Sequence, residues 1–133
     1  MQYRGLPSRA TLTTRGAGPA RGIPMKEDHM FVISVLYPLT PGTTFNLDYY
    51  LDSHVPLVKR LFEPMGQREA RVFKGVSDGG EGTPTFGVIA ELFFDDMDSL
   101  MAALSAHGAE TQADIPNFTD SIPVIQISEM LTL

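Results

Sequence analysis

The chain has 133 residues, enough for one domain with a modest core, and its 43% hydrophobic and 20% charged content is ordinary for a globular protein. A net charge of -6 argues against nucleic acid as a partner, because phosphate binding needs a basic face. The absence of cysteine excludes disulfides, a thiolate nucleophile and cysteine-held zinc or iron–sulfur sites and fits a cytoplasmic protein, and no apolar run approaches the ~18 residues of a membrane span, so no membrane partner is expected.

Residues 1–29 show no hydrophobic periodicity; glycine, proline, threonine and arginine dominate, with Arg4, Arg9, Arg15, Arg21 and Lys26 and no acid before Glu27. This composition reads as a disordered basic extension. It has neither the clear amphipathic helix of an organelle-targeting peptide nor the apolar stretch of a secretory signal. A start at Met25 or Met30 would place most of it upstream of the natural protein. The folded domain is expected over 30–133.

Met30 to Tyr37, MFVISVLY, is an apolar, β-branched and aromatic run and predicts a strand covered on both faces. PLTPGTT follows as a loop, after which Thr44 or Asn46 can cap a helix over Phe45 to Phe62, FNLDYYLDSHVPLVKRLF. On a helical wheel Leu47, Tyr50, Leu51, His54, Leu57, Val58, Leu61 and Phe62 share one side, with His54 near the centre of that apolar stripe. Pro56 lacks an N–H and its ring opposes the Asp52 carbonyl, so the helix is expected to kink at Asp52–Ser53 or to restart with Ser53 as N-cap.

Ala70 to Val76 and Phe86 to Phe94 predict two further strands joined by the glycine-rich turn SDGGEGTP. No helix and no Gly-Lys-Ser/Thr follow those glycines, which excludes a phosphate loop. Asp95 or Asp96 caps a second helix carrying Met97, Leu100, Met101 and Leu104, expected to end at His107-Gly108 before a short helical piece, AETQAD. An extended loop, IPNFTDSIP, leads into the last strand, Val124 to Met130.

The order β-α-β-β-α-β is the ferredoxin-like, split βαβ arrangement of an α+β protein: a four-stranded antiparallel sheet with both helices on one face. The first and third strands are apolar on both faces, so the uncovered face would be a large apolar patch on a monomer. A second copy packed sheet to sheet covers it, which predicts a homodimer.

Three collinear segments, VLYPLTPGTTF, DYYLDSHVPLV and DIPNFTDSIPVIQISE, resemble the EthD-like family of dimeric α+β barrel proteins. The likeness covers nearly all of Met30 to Met130. It implies the dimeric α+β barrel and a small-molecule cleft between the sheet and the helices of each protomer, the side on which the wheel places His54. The family is named for an association with ether degradation, and it is similar in fold to lactone isomerases, polyketide cyclases, monooxygenases and haem-degrading enzymes.

A neutral imidazole in an apolar cleft can act as general base or acid, moving a proton next to a carbonyl, although a histidine on an apolar face is also commonly a core residue satisfied by the backbone. Tyr37, at the end of the first strand, can donate to a developing enolate oxygen or serve as a half-buried strand aromatic. His107 is a candidate second acid–base group or a helix C-terminal cap. Tyr50, Leu51 and Val58 are candidate substrate contacts along the stripe. Asn117 is another in the matched loop, where Asn117, Thr119 and Asp120 can equally brace the backbone.

No recognised ligand spacing supports a metal, and flavin and nicotinamide fingerprints are absent. Haem with His54 as axial ligand is chemically allowed, but no pattern selects for it. Taken together, the sequence predicts a cofactor-independent enzyme acting on a small apolar, aromatic or lactone-like molecule, of isomerase, cyclase, decarboxylase or oxygenase type. The alternative is a non-catalytic dimeric protein that binds a hydrophobic ligand.

Overall fold

The computed structural model describes residues 30–133; the expected basic extension lies outside the described residues. Four strands, β1 (Phe31–Pro38), β2 (Gln67–Lys74), β3 (Phe86–Phe94) and β4 (Val124–Glu129), form one antiparallel sheet in the order β2-β3-β1-β4. The apolar β1 and β3 occupy its centre, as the α+β ferredoxin-like arrangement requires. Both helices pack on one face, where Ile33, Leu92 and Phe94 meet Phe62, Leu100 and Ala103.

Between β1 and β2 the chain stays helical but changes pitch. A first turn, α1 (Leu47–Tyr49), is capped by Asn46, whose Oδ1 accepts from the Tyr49 N–H at 3.0 Å. A π-helical turn follows over Tyr50–His54, closed by the Val55 N–H donating to the Tyr50 carbonyl, and α2 (Val55–Phe62) then begins with Pro56 in its first turn. The expected kink or restart at Ser53 is therefore replaced by a widened turn. One extra residue per turn absorbs the proline without breaking the helix, since a missing N–H costs nothing at a helix start.

The extra residue also rotates the wheel. Tyr50 and His54 stay buried, whereas Leu51 turns outward and is 47% exposed. A regular period of 3.6 had placed all three on one stripe.

The second long helix, α3 (Met97–Ala113), is capped by Asp96, whose Oδ1 accepts from the Ser99 N–H at 2.7 Å. It does not end at His107-Gly108. Gly108 is buried within the helix, where the Thr111 hydroxyl donates to its carbonyl at 2.9 Å, so packing overrides the weak helical preference of glycine. The last residue before the turn Ile115–Asn117 is Asp114, at the C-cap of α3.

The face of the sheet away from the helices is banded. Phe73, Ile89, Leu36 and Val124 lie in register across all four strands, and Phe73 and Val124 are largely exposed. The neighbouring row, Arg71, Glu91, Ser34 and Gln126, is polar. Beyond it Val32 pairs with Phe93 and packs with Met30 and Met130, so the open face has two apolar bands separated by the row that contains Ser34 and Glu91.

Candidate active site

Two loops close the Tyr37 end of the sheet and bring the site residues together. Phe45 forms a β-bridge with Thr119, and the Asn46 N–H donates to the Phe118 carbonyl at 2.7 Å. The Thr44 N–H donates to Asp120 Oδ1 at 2.9 Å, while the Thr119 hydroxyl donates to the Thr44 carbonyl at 2.6 Å. These bonds hold Phe118 beneath the first helix, and its ring contacts those of Tyr37, Phe45, Tyr50 and His54. Thr119 and Asp120 make backbone-bracing contacts.

His54 is 6% exposed. Its ring stacks on Tyr50 with centroids 5.5 Å apart, a pairing set up by the π-helical turn, and lies 4.6 Å from the Phe118 ring. His54 Nδ1 lies 2.9 Å from Asp114 Oδ2. The other carboxylate oxygen, Asp114 Oδ1, accepts from the Tyr49 hydroxyl at 2.8 Å and from Asn117 Nδ2 at 2.9 Å. Asp114 is therefore clamped at one oxygen and offers the second to the imidazole.

Burial works to raise the Asp114 carboxyl, but the hydrogen bonds from Asn117, His54 and Tyr49 outweigh it and hold the group below the ordinary carboxylate range. An ionised carboxylate only accepts, so His54 Nδ1 carries a proton, and whenever the ring is neutral the free lone pair is on Nε2. The bond to Asp114 pushes the Tyr49 phenol up from its usual value.

A cleft of about 40 Å³ lies between the sheet and the first helix, lined by Tyr37, Tyr50, His54, Val58, Lys59 and the sheet residues Val35, Ala70, Val72, Ala90 and Leu92. Both phenols are buried residues, yet neither hydroxyl has a hydrogen-bond partner among the described residues and neither oxygen is sealed off. Burial pushes Tyr50 up to about 12. It raises Tyr37 further, helped by the neighbouring Tyr50 and Asp114. Both are therefore neutral donors at ordinary pH.

Of the candidates read from the sequence, His54, Tyr37, Tyr50 and Val58 come together at this cleft. Leu51 does not line it. His107 stands inside α3 against Phe62, with ring centroids 6.4 Å apart, and does not line it either. Asn117 reaches the site indirectly, through Asp114, and lines a separate surface hollow of about 380 Å³ with Thr44, Phe45, Asn46, Pro116, Phe118, Thr119 and Asp120. That hollow is the larger concavity, but the imidazole faces the smaller cleft.

Sequence reasoning missed Asp114 and Tyr49. The available signal for Asp114 was its place as first residue of the DIPNFTDSIPVIQISE segment. Among the described residues no group of three histidine, aspartate or glutamate side chains is placed to hold a metal ion. No described helix is long and apolar enough to cross a membrane.

The family model of the EthD domain matches residues 44–122, a stretch that contains both His54 and Asp114. An EthD-like protein from Ralstonia eutropha is 36% identical and superposes with a TM-score of 0.70 over 77% of this chain and 92% of that one. An ethyl tert-butyl ether D (EthD) family protein from Bacillus halodurans is 20% identical, with a TM-score of 0.55 over 75% of this chain and 97% of that one. SnoaB, a cofactor-independent oxygenase from Streptomyces nogalater, shares the fold at 11% identity, with a TM-score of 0.50 over 74% of this chain and 89% of that one. No curated protein sequence matches the chain.

Proposed function

The chain belongs to the EthD family, and from that premise we propose that it is a cofactor-independent enzyme in which His54 moves a proton on a small, largely apolar substrate. The observation that carries the reading is the His54–Asp114 pair at a cleft that also holds two unpartnered phenols. Fold likeness to a cofactor-independent oxygenase is compatible with it but transfers no chemistry.

In this reading Nε2 takes a proton from a carbon next to a carbonyl. The C–H bond breaks, an N–H bond forms, and the electron pair moves to the carbonyl oxygen. Asp114 stabilises the resulting imidazolium and keeps the ring in the tautomer that can accept, while Tyr37 and Tyr50 donate to the enolate oxygen. Return of the proton to another carbon makes the reaction an isomerisation; attack of the enolate carbon on a second carbonyl makes it a cyclisation; capture by dioxygen makes it an oxygenation. The apolar walls at Val58, Val72 and Leu92 exclude water that would compete for the proton.

The test is deuterium incorporation from D₂O into aromatic lactones and phenolic polyketides with an acidic C–H. Catalysed exchange by the wild type that falls by about 100-fold or more in His54→Gln supports the base. Undiminished exchange in the variant removes His54 as the base, and saturable binding of such ligands without exchange in either favours a binding protein.

The banded open face supports a homodimer closed by a second copy over Phe73, Ile89, Leu36 and Val124. Light scattering at micromolar concentration is expected to give twice the chain mass, reduced to the single mass in Leu36→Glu. A wild-type monomer contradicts it.

A further inference from the structure

The cleft of about 40 Å³ has room for about one water molecule, so only the reacting end of a substrate enters it and the remainder lies across the mouth. Lys59, five residues after His54 on the first helix, is the exposed member of the lining and marks that mouth. It makes no ion pair among the described residues, although Asp52 and Glu63 share its helix. No carboxylate lines the cleft. The one nearby, Asp114, has both oxygens occupied by Tyr49, Asn117 and His54. Two tyrosines and a lysine therefore line the cleft beside His54, with no carboxylate among them, on a chain whose net charge is -6.

We infer that the substrate of the His54 site is an anion: an apolar carbon acid bearing a carboxylate or equivalent anionic group that rests on Lys59 while its enolisable carbonyl faces Tyr37, Tyr50 and His54. The inference rests on the function proposed above and narrows its substrate class from apolar to amphiphilic. Lys59 acts as a specificity-determining residue, attracting the anion and setting which end enters. The protein's net negative charge disfavours anions at long range, so a local cation at the mouth also favours the productive approach.

The experiment is an amide NMR titration of the whole chain with benzoate and 1-hydroxy-2-naphthoate, each against its methyl ester, in wild type, Lys59→Met and Lys59→Arg. Lys59 is exposed, so these substitutions leave the core intact. The carboxylates are expected to shift the signals around His54 and Lys59 at about three- to tenfold lower concentration than the esters. That preference should disappear in Lys59→Met, persist in Lys59→Arg and weaken with added salt. Equal binding of acid and ester, no shift at this cleft with any of the four probes in the millimolar range, or a preference that survives Lys59→Met would overturn the inference. A Lys59-dependent preference without His54-dependent deuterium exchange would sustain the anion site and remove the base. Exchange without a charge preference would do the reverse.

Discussion

Two clusters share the helical face of one sheet and are built for different ends. At the Phe94 end, Ile33, Phe62, Leu92, Phe94, Leu100 and Ala103 form an apolar core under α3. At the Tyr37 end, the buried side chains include Val88 and four rings, Tyr37, Tyr50, Phe118 and His54, with Asp114 behind the imidazole. The first cluster gains its stability from packing without polar groups to satisfy. The second buries four rings of which three carry polar atoms, and two of those atoms, the phenolic oxygens, are left facing the cleft. Tyr and His in place of Phe and Leu put a constraint on this cluster, since each polar atom needs a partner or an opening to the cleft. The difference separates the part of the layer that holds the fold from the part that is available for chemistry.

Four substitutions break or sharpen this contrast. The largest effect is expected from Phe94→Ala, which empties a fully buried site in the apolar cluster and should lower the unfolding free energy by about 3–5 kcal/mol in chemical denaturation.

Asp114→Asn acts on the other cluster. It should cost about 1–2 kcal/mol at neutral pH by weakening the bonds from His54 and Tyr49. The Asp114 carboxyl is depressed in the folded state, so its contribution is fully present above its unfolded value and is lost as pH falls through the lower folded value. The gap between variant and wild type should therefore narrow in acid. A gap that stays constant with pH would show that the carboxylate charge is not what matters.

Gln67 is the exception at the apolar end: it pairs with Phe94 across the sheet, is buried, and neither polar atom of its amide has a partner among the described residues. Gln67→Met keeps the volume and removes the orphaned amide. It should leave stability unchanged or raise it by about 1 kcal/mol, measured by the denaturation midpoint.

Tyr50→Phe gives the smallest effect below pH ~10, because the hydroxyl has no partner to lose among the described residues. Its phenol is raised in the folded state, so the wild type should lose stability as pH rises from ~10 through about 12, and the variant should lose less. Identical alkaline profiles would mean that the Tyr50 hydroxyl is solvated rather than held in an apolar cleft.

Much of the frame was legible in the residues. Near-continuous apolar, β-branched and aromatic runs marked the two central strands, and capping chemistry announced α3 at Asp95 or Asp96, of which Asp96 is the cap. The first helix was legible as an amphipathic stripe, but the regular period misplaced Leu51, because a π-helical turn shifts the phase by one residue and has no signature beyond a proline that must be accommodated. His107-Gly108 looked like a helix end because glycine is a weak helix former. Only the packing of α3 on the sheet decides otherwise.

The site divides the same way. His54 stood out locally as a histidine on an apolar face. Asp114 did not, since 60 residues separate it from the imidazole and it could not be distinguished from other loop acids until the fold brought α3 across the first helix. Lys59 carries no local signal of its own, and its meaning depends on the sheet that completes the cleft beside it.

The central claim is that Asp114 fixes the imidazole of His54 with Nδ1 protonated and Nε2 free toward the cleft. Two-bond ¹H–¹⁵N correlation of the histidine rings reads this directly in the wild type at a pH where the ring is neutral. The account predicts a single Nδ1–H tautomer for His54 that is lost in Asp114→Asn. An Nε2–H tautomer in the wild type, or rapid averaging of the two that Asp114→Asn does not change, would contradict it.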